Sequence, residues 1–99
     1  MTIPAWDVEL GGKLIGRIVR RTADFPFIFG SFEATPDFAA HAPLFAEELR
    51  LMNEDRMDEW ELAYDRIDDL GLRLIPTDGS EQIEELILHI EGDEAWFRA

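Results

Sequence analysis

Cysteine is absent from the 99 residues, which removes disulfides, thiolate metal sites and thiol nucleophiles together. Basic residues are scarce: nine Lys and Arg, of which only Lys13 is a lysine, stand against 22 Asp and Glu. The resulting formal charge of −13 speaks against nucleic-acid binding, because phosphate affinity comes from Lys and Arg neutralising phosphates. It speaks equally against docking on anionic membranes. No apolar run approaches the roughly 18 residues of a membrane span, and Met1-Thr2-Ile3-Pro4 has no basic region leading into a long apolar stretch. A cytoplasmic protein without cofactor is the expectation. What is present is ordinary globular material, with 46% hydrophobic and 31% charged residues in a length that suits one domain over 1–99.

The first third reads as strands. Trp6, Val8 and Leu10 alternate with Asp7 and Glu9, and Gly11-Gly12 is a dipeptide that closes a hairpin. On the return strand Leu14, Gly16 and Ile18 lie on one side, with Ile15, Arg17, Val19 and Arg21 on the other. A third strand runs from about Pro26 to Glu33. Thr35-Pro36-Asp37 stops it, Thr35 or Asp37 suits a helix cap, and Pro43 suits the first turn of a helix.

From Leu44 the period changes to that of a helix. Leu44, Phe45, Leu49 and Met52 form one stripe, with Glu47, Glu48 and Arg50 outside it. Asn53 interrupts, and Met57, Trp60, Tyr64 and Ile67 form a second stripe, widened by Ala63 and Leu70 and ended by Gly71. Strands return at Leu72, Leu74 and Pro76, turn at Thr77-Asp78-Gly79-Ser80, and resume at Leu86, Leu88 and Ile90. One more short strand fits Ala95, Trp96 and Phe97. The order β-β-β-α-α-β-β predicts an α+β domain: an antiparallel sheet of five or six strands with two central antiparallel helices on one face.

The charge is unevenly spread. Residues 1–31 carry Asp7, Glu9 and Asp24 against Lys13, Arg17, Arg20 and Arg21, a net of +1, so residues 32–99 carry −14. The second helix is densest, with Glu54, Asp55, Asp58, Glu59, Glu61, Asp65, Asp68 and Asp69 against Arg56 and Arg66. Like charges at i,i+4, such as Glu54/Asp58 and Glu61/Asp65, cost an isolated helix roughly 0.2–0.5 kcal/mol each. Asp68 and Asp69 also oppose the dipole at the helix end. Such an arrangement fits a face that meets a basic protein partner. The bland alternatives are solubility and adaptation to high salt.

Asp24-Phe25-Pro26-Phe27-Ile28-Phe29-Gly30-Ser31-Phe32 is the most unusual stretch. Phe25, Phe27 and Phe29 share one face and Ile28 and Phe32 the other. With helices on one side only, one set faces outward, joined there by Ile15, Val19 and Ile87. A homodimer or a hydrophobic anchor built on that patch is a second expectation.

Catalytic signatures are lacking. His41 has no acid or nucleophile at motif spacing, Ser31 and Ser80 lack a nucleophile elbow, and Gly11-Gly12-Lys13 is too short for a phosphate loop. Asp55 and Asp58 do not fit an EF-hand. Glu85, His89 and Glu91 would share one strand face, on which alternate residues stand about 7 Å apart and two carboxylates flank an imidazole. That spacing is too wide for a closed metal site, so the face is a candidate for a small ligand or a responsive metal rather than for a resident one.

At Asp24-Phe25-Pro26-Phe27, Phe29-Gly30-Ser31-Phe32-Glu33 and Leu88-His89-Ile90-Glu91-Gly92-Asp93-Glu94-Ala95-Trp96-Phe97, the chain resembles a group of small, acidic, single-domain bacterial proteins of uncharacterised function. The resemblance runs over most of the chain and implies a compact bacterial domain, with no activity or catalytic residue attached. The functional expectation is therefore a non-enzymatic interaction module of the immunity, antitoxin or inhibitor type. The alternatives are a ligand-responsive protein using Glu85, His89 and Glu91, or a homodimer using the Phe-rich face.

Overall fold

Alternation at Trp6, Val8 and Leu10 runs into Gly11 and Gly12, whose φ angles of 62° and 80° glycine adopts without steric cost. The chain reverses there into a hairpin. The computed structural model describes residues 3–99, so the N-terminal reading of Met1 and Thr2 lies outside the described residues. Strand β1 (Ala5–Leu10) pairs with β2 (Lys13–Asp24), and β2 with β3 (Phe27–Ala34). A 3-10 turn (Pro36–Ala40) leads into α1 (Ala42–Asn53) and α2 (Met57–Asp69). Strands β4 (Leu72–Pro76), β5 (Ile87–Glu91) and β6 (Glu94–Arg98) follow. All six form one antiparallel sheet in the order β4-β1-β2-β3-β6-β5. The fold is α+β, as the segregation of strands and helices predicts.

Register shifts at Val8/Glu9 and at Arg20/Thr22 bend the sheet. Trp6 on β1 and Phe97 on β6 have two strands between them, yet their rings meet edge to face at 5.0 Å. The sheet therefore curls around its inner face. Cross-strand rows Trp6–Ile18–Phe32 and Leu88–Phe97–Ile28 build that face, and Phe45, Tyr64 and Ile67 from the helices complete the core. Gly30 lies on the same side. A Cβ there would collide with the Val19 carbonyl oxygen and the Ile18 side chain.

Each outer strand is tied at one point along its free edge. The Leu88 amide of β5 donates to the Tyr64 hydroxyl oxygen at 2.7 Å. On β4, Leu74 and Ile83 exchange two backbone hydrogen bonds of 2.9 Å.

The helices turn about Asp55, which takes a φ of 58°. Its amide donates to the Met52 carbonyl at 3.1 Å and that of Arg56 to the Leu51 carbonyl at 3.0 Å, the paired bonds of a Schellman ending. Thr35 precedes the 3-10 turn without capping it by its side chain. Its hydroxyl donates instead to the Leu14 carbonyl at 2.6 Å.

On the Phe-rich sheet the structure decides which set faces outward and takes Ile15 and Ile87 off that side, Ile87 packing against the core. Phe32 is buried in the core and Ile28 packs against it, so neither belongs to an outward patch. Ile15 is also buried, because the bulge at Val8/Glu9 takes it out of simple alternation. Phe25, at 96% exposure, and half-buried Phe27 and Phe29 form the outer set. Phe29 stacks on Trp96 of β6, a neighbour the alternation alone does not supply.

Candidate interaction surface

Helix α2 buries Ala63, Tyr64 and Ile67, and this fixes what its other side presents. Glu54 and Asp55 at the interhelical turn, with Asp58, Glu59, Glu61, Asp65, Asp68 and Asp69 along α2, are all exposed. Two of the eight have ion-pair partners. Glu54 meets Arg50 at 2.9 Å and Arg56 at 3.2 Å, and Glu59 also pairs with Arg56. The arginines, Arg56 foremost, hold the Glu54 carboxyl below the usual carboxylate range. The other six acids make no ion pair among the described residues.

Leu62, 67% exposed, sits inside this field. Its helical neighbours are Asp58 and Glu59 one turn before and Asp65 and Arg66 one turn after. An apolar side chain ringed by charge is the composition of an interface centre with a polar rim. Sequence reading missed it, although Leu62 visibly falls off the Trp60–Tyr64–Ile67 stripe.

Asp68 feels the crowding directly. Partial burial, then the charges of Asp65 and Asp69, raise its carboxyl above the ordinary Asp range. Its folded value lies above its unfolded one, so the cost of ionising it is absent below about pH 4 and fully present at neutrality. Asp68→Asn should therefore be more stable than the parent by a few tenths of a kcal/mol at pH 7. That advantage should vanish as the pH falls below about 4, which paired melting curves across pH would read.

An apolar groove adjoins the acidic surface. Its volume is about 650 Å³, and Phe38, Ala42, Phe45, Ala46, Leu49 and Ile90 supply its apolar lining. Arg50, Asn53, Glu54, Glu91 and Gly92 border it. Arg50 is occupied, since Glu47 takes it at 2.6 and 3.1 Å and Glu54 at 2.9 Å. Glu91 makes no ion pair among the described residues. Glu54 belongs to both the groove and the acidic field, so the two are continuous.

The expected Glu85/His89/Glu91 face does not form. Strand β5 begins at Ile87, leaving Glu85 outside the ladder and exposed beside Asp68 and Arg73 in a separate cleft. His89 is buried, and its partner is a carboxylate from α1 rather than from its own strand. Its Nδ1 lies 2.8 and 3.1 Å from the two Glu48 carboxylate oxygens, with side-chain exposures of 5% and 0%. Trp60 Nε1 donates to the same Glu48 Oε1 at 2.9 Å, and the Trp96 ring lies 5.4 Å from the imidazole. The cluster ties α1, α2, β5 and β6 together, closed off from substrate by burial. Glu48 also departs from the sequence reading, which places it outside the α1 stripe. Among the described residues, no three His, Asp or Glu side chains are grouped to hold a metal ion.

No helix among the described residues is long and apolar enough to cross a membrane. No protein-family model, curated protein or solved structure matches the chain.

Proposed function

We propose that this protein is a non-enzymatic interaction module, of the immunity, antitoxin or inhibitor type, whose acidic α2 surface covers the cationic surface of a basic protein. The observation that carries the reading is the set of six exposed acids at and along α2 that make no ion pair among the described residues, two of which, Asp58 and Asp65, flank the exposed Leu62. Helix pairs do not account for them, and at Asp65, Asp68 and Asp69 they work against the helix itself. Complementary potential would speed encounter and fix register, while Leu62 supplies the apolar contact that charge alone lacks. A cytoplasmic, bacterial setting goes with this role.

The test is a salt-eluted capture from the source cells, run in parallel with the parent chain and with Asp58→Lys/Glu61→Lys/Asp65→Lys. One dominant basic protein, retained by the parent and lost by the triple variant, is the expected result. Equal retention by both, or none by either, refutes the reading.

A second reading is favoured by Phe25, whose exposure nothing in the fold requires, with Phe27, Phe29 and Trp96 beside it. A homodimer on this outer sheet face would bury them. Light scattering at high protein concentration decides it, a strict monomer ending the idea.

A further inference from the structure

We infer that the groove between the 3-10 turn, α1 and β5 receives an apolar side chain from a cationic amphipathic segment of the partner. This rests on the acidic-surface reading above and deepens it by naming the partner's chemistry. Its lining is mostly apolar, from Phe38, Ala46, Leu49 and Ile90 among others, with Arg50, Asn53, Glu54 and Glu91 as its polar side chains. The rim decides the sign of the occupant's charge. Arg50 already gives three of its five N–H donors to Glu47 and Glu54, which balance its charge. Glu91, which makes no ion pair among the described residues, lines the groove as well. An apolar side chain flanked by Lys or Arg suits the apolar lining and Glu91, and its basic residues continue past the paired Glu54 to the acids of α2. A second copy of this chain fits poorly in this groove, which adjoins the acidic α2 surface, since the chain carries only nine basic residues against 22 acids.

The probe is a fluorescein-labelled, amidated helical peptide of Leu and Lys with its Leu residues on one face. Its control has every Leu replaced by Ala and keeps the charge. Anisotropy titrations use the full chain, Ala46→Trp, which fills the groove from an exposed helix position, Glu91→Lys at the rim, and the α2 triple reversal. Melting curves check that each variant folds. The expected result is that the Leu/Lys peptide binds the parent at least about tenfold more tightly than the Ala/Lys control. Ala46→Trp and Glu91→Lys should each remove about that factor. If the two peptides bind alike and only the α2 reversal matters, the groove assignment falls while the acidic-surface reading survives. Absence of binding by either peptide up to about 1 mM overturns both. Parent dimers that Ala46→Trp dissociates would assign the groove to a second copy. Equal binding by the neutral dye N-phenylnaphthylamine, blocked by Ala46→Trp, would assign it to small apolar ligands. Either result overturns the inference.

Discussion

Glu48→Ala should cost about 3–5 kcal/mol of folding stability, a large share of the roughly 5–15 kcal/mol expected of such a domain. The carboxylate is fully buried and accepts from Trp60 Nε1 and shares His89 Nδ1 between its two oxygens. Truncation leaves the imidazole without its partner in a site that water does not reach, and the orphaned group carries the desolvation cost. It also unties α1 from β5 and from Trp60 of α2. Replacing both partners, as Glu48→Leu with His89→Leu, should restore most of the loss, since an apolar pair of similar volume needs no hydrogen bond. Trp60 is only half-buried and can turn its N–H to water. Urea midpoints at constant slope measure both effects. A single variant within about 1 kcal/mol of the parent would mean that the cluster does not hold the helices to the sheet.

Phe97→Ala should cost a similar amount, about 3–5 kcal/mol, and lower the melting temperature by roughly 15 °C or more. Phe97 is almost wholly buried, stands in register with Leu88 and Ile28, and meets Trp6 edge to face across the curl. Removing it leaves a cavity at the point where β1 and β6 approach each other, and two intervening strands limit how far the wall can collapse. Phe25→Ala is the matched control: it deletes the same group from a 96% exposed turn and should change stability by less than about 0.5 kcal/mol. Equal effects of the two substitutions would show that the inner face is not the one the register assigns.

Element order and both helices were legible because their signals are local: period two before Gly11-Gly12, period 3.6 from Leu44 onward, and glycine at Gly71. The curl was not, because it depends on bulges at Val8/Glu9 and Arg20/Thr22, which pairing creates. Alternation separated Phe27 and Phe29 from Ile28 and Phe32, but only the register with Ile18 and Phe97 tells which set turns inward. Glu48 lies four residues after Leu44, three after Phe45 and four before Met52, in the middle of the α1 stripe. Its charge took it out of the reading, although position alone places it on the buried side. The acidic field was visible as composition. Leu62 was legible too, since it falls off the Trp60–Tyr64–Ile67 stripe, whereas the adjoining groove became visible only when α1 met Ile90.

Amide chemical-shift mapping tests most directly whether α2 is the recognition surface. The labelled protein would be titrated with the basic protein that salt elution recovers, at low and at high ionic strength. Shifts centred on Asp58, Glu61, Leu62, Asp65 and Asp69, and much reduced at high salt, are predicted. Shifts centred on Phe25, Phe27, Phe29 and Trp96 and indifferent to salt would contradict the account and make the outer sheet face the working surface.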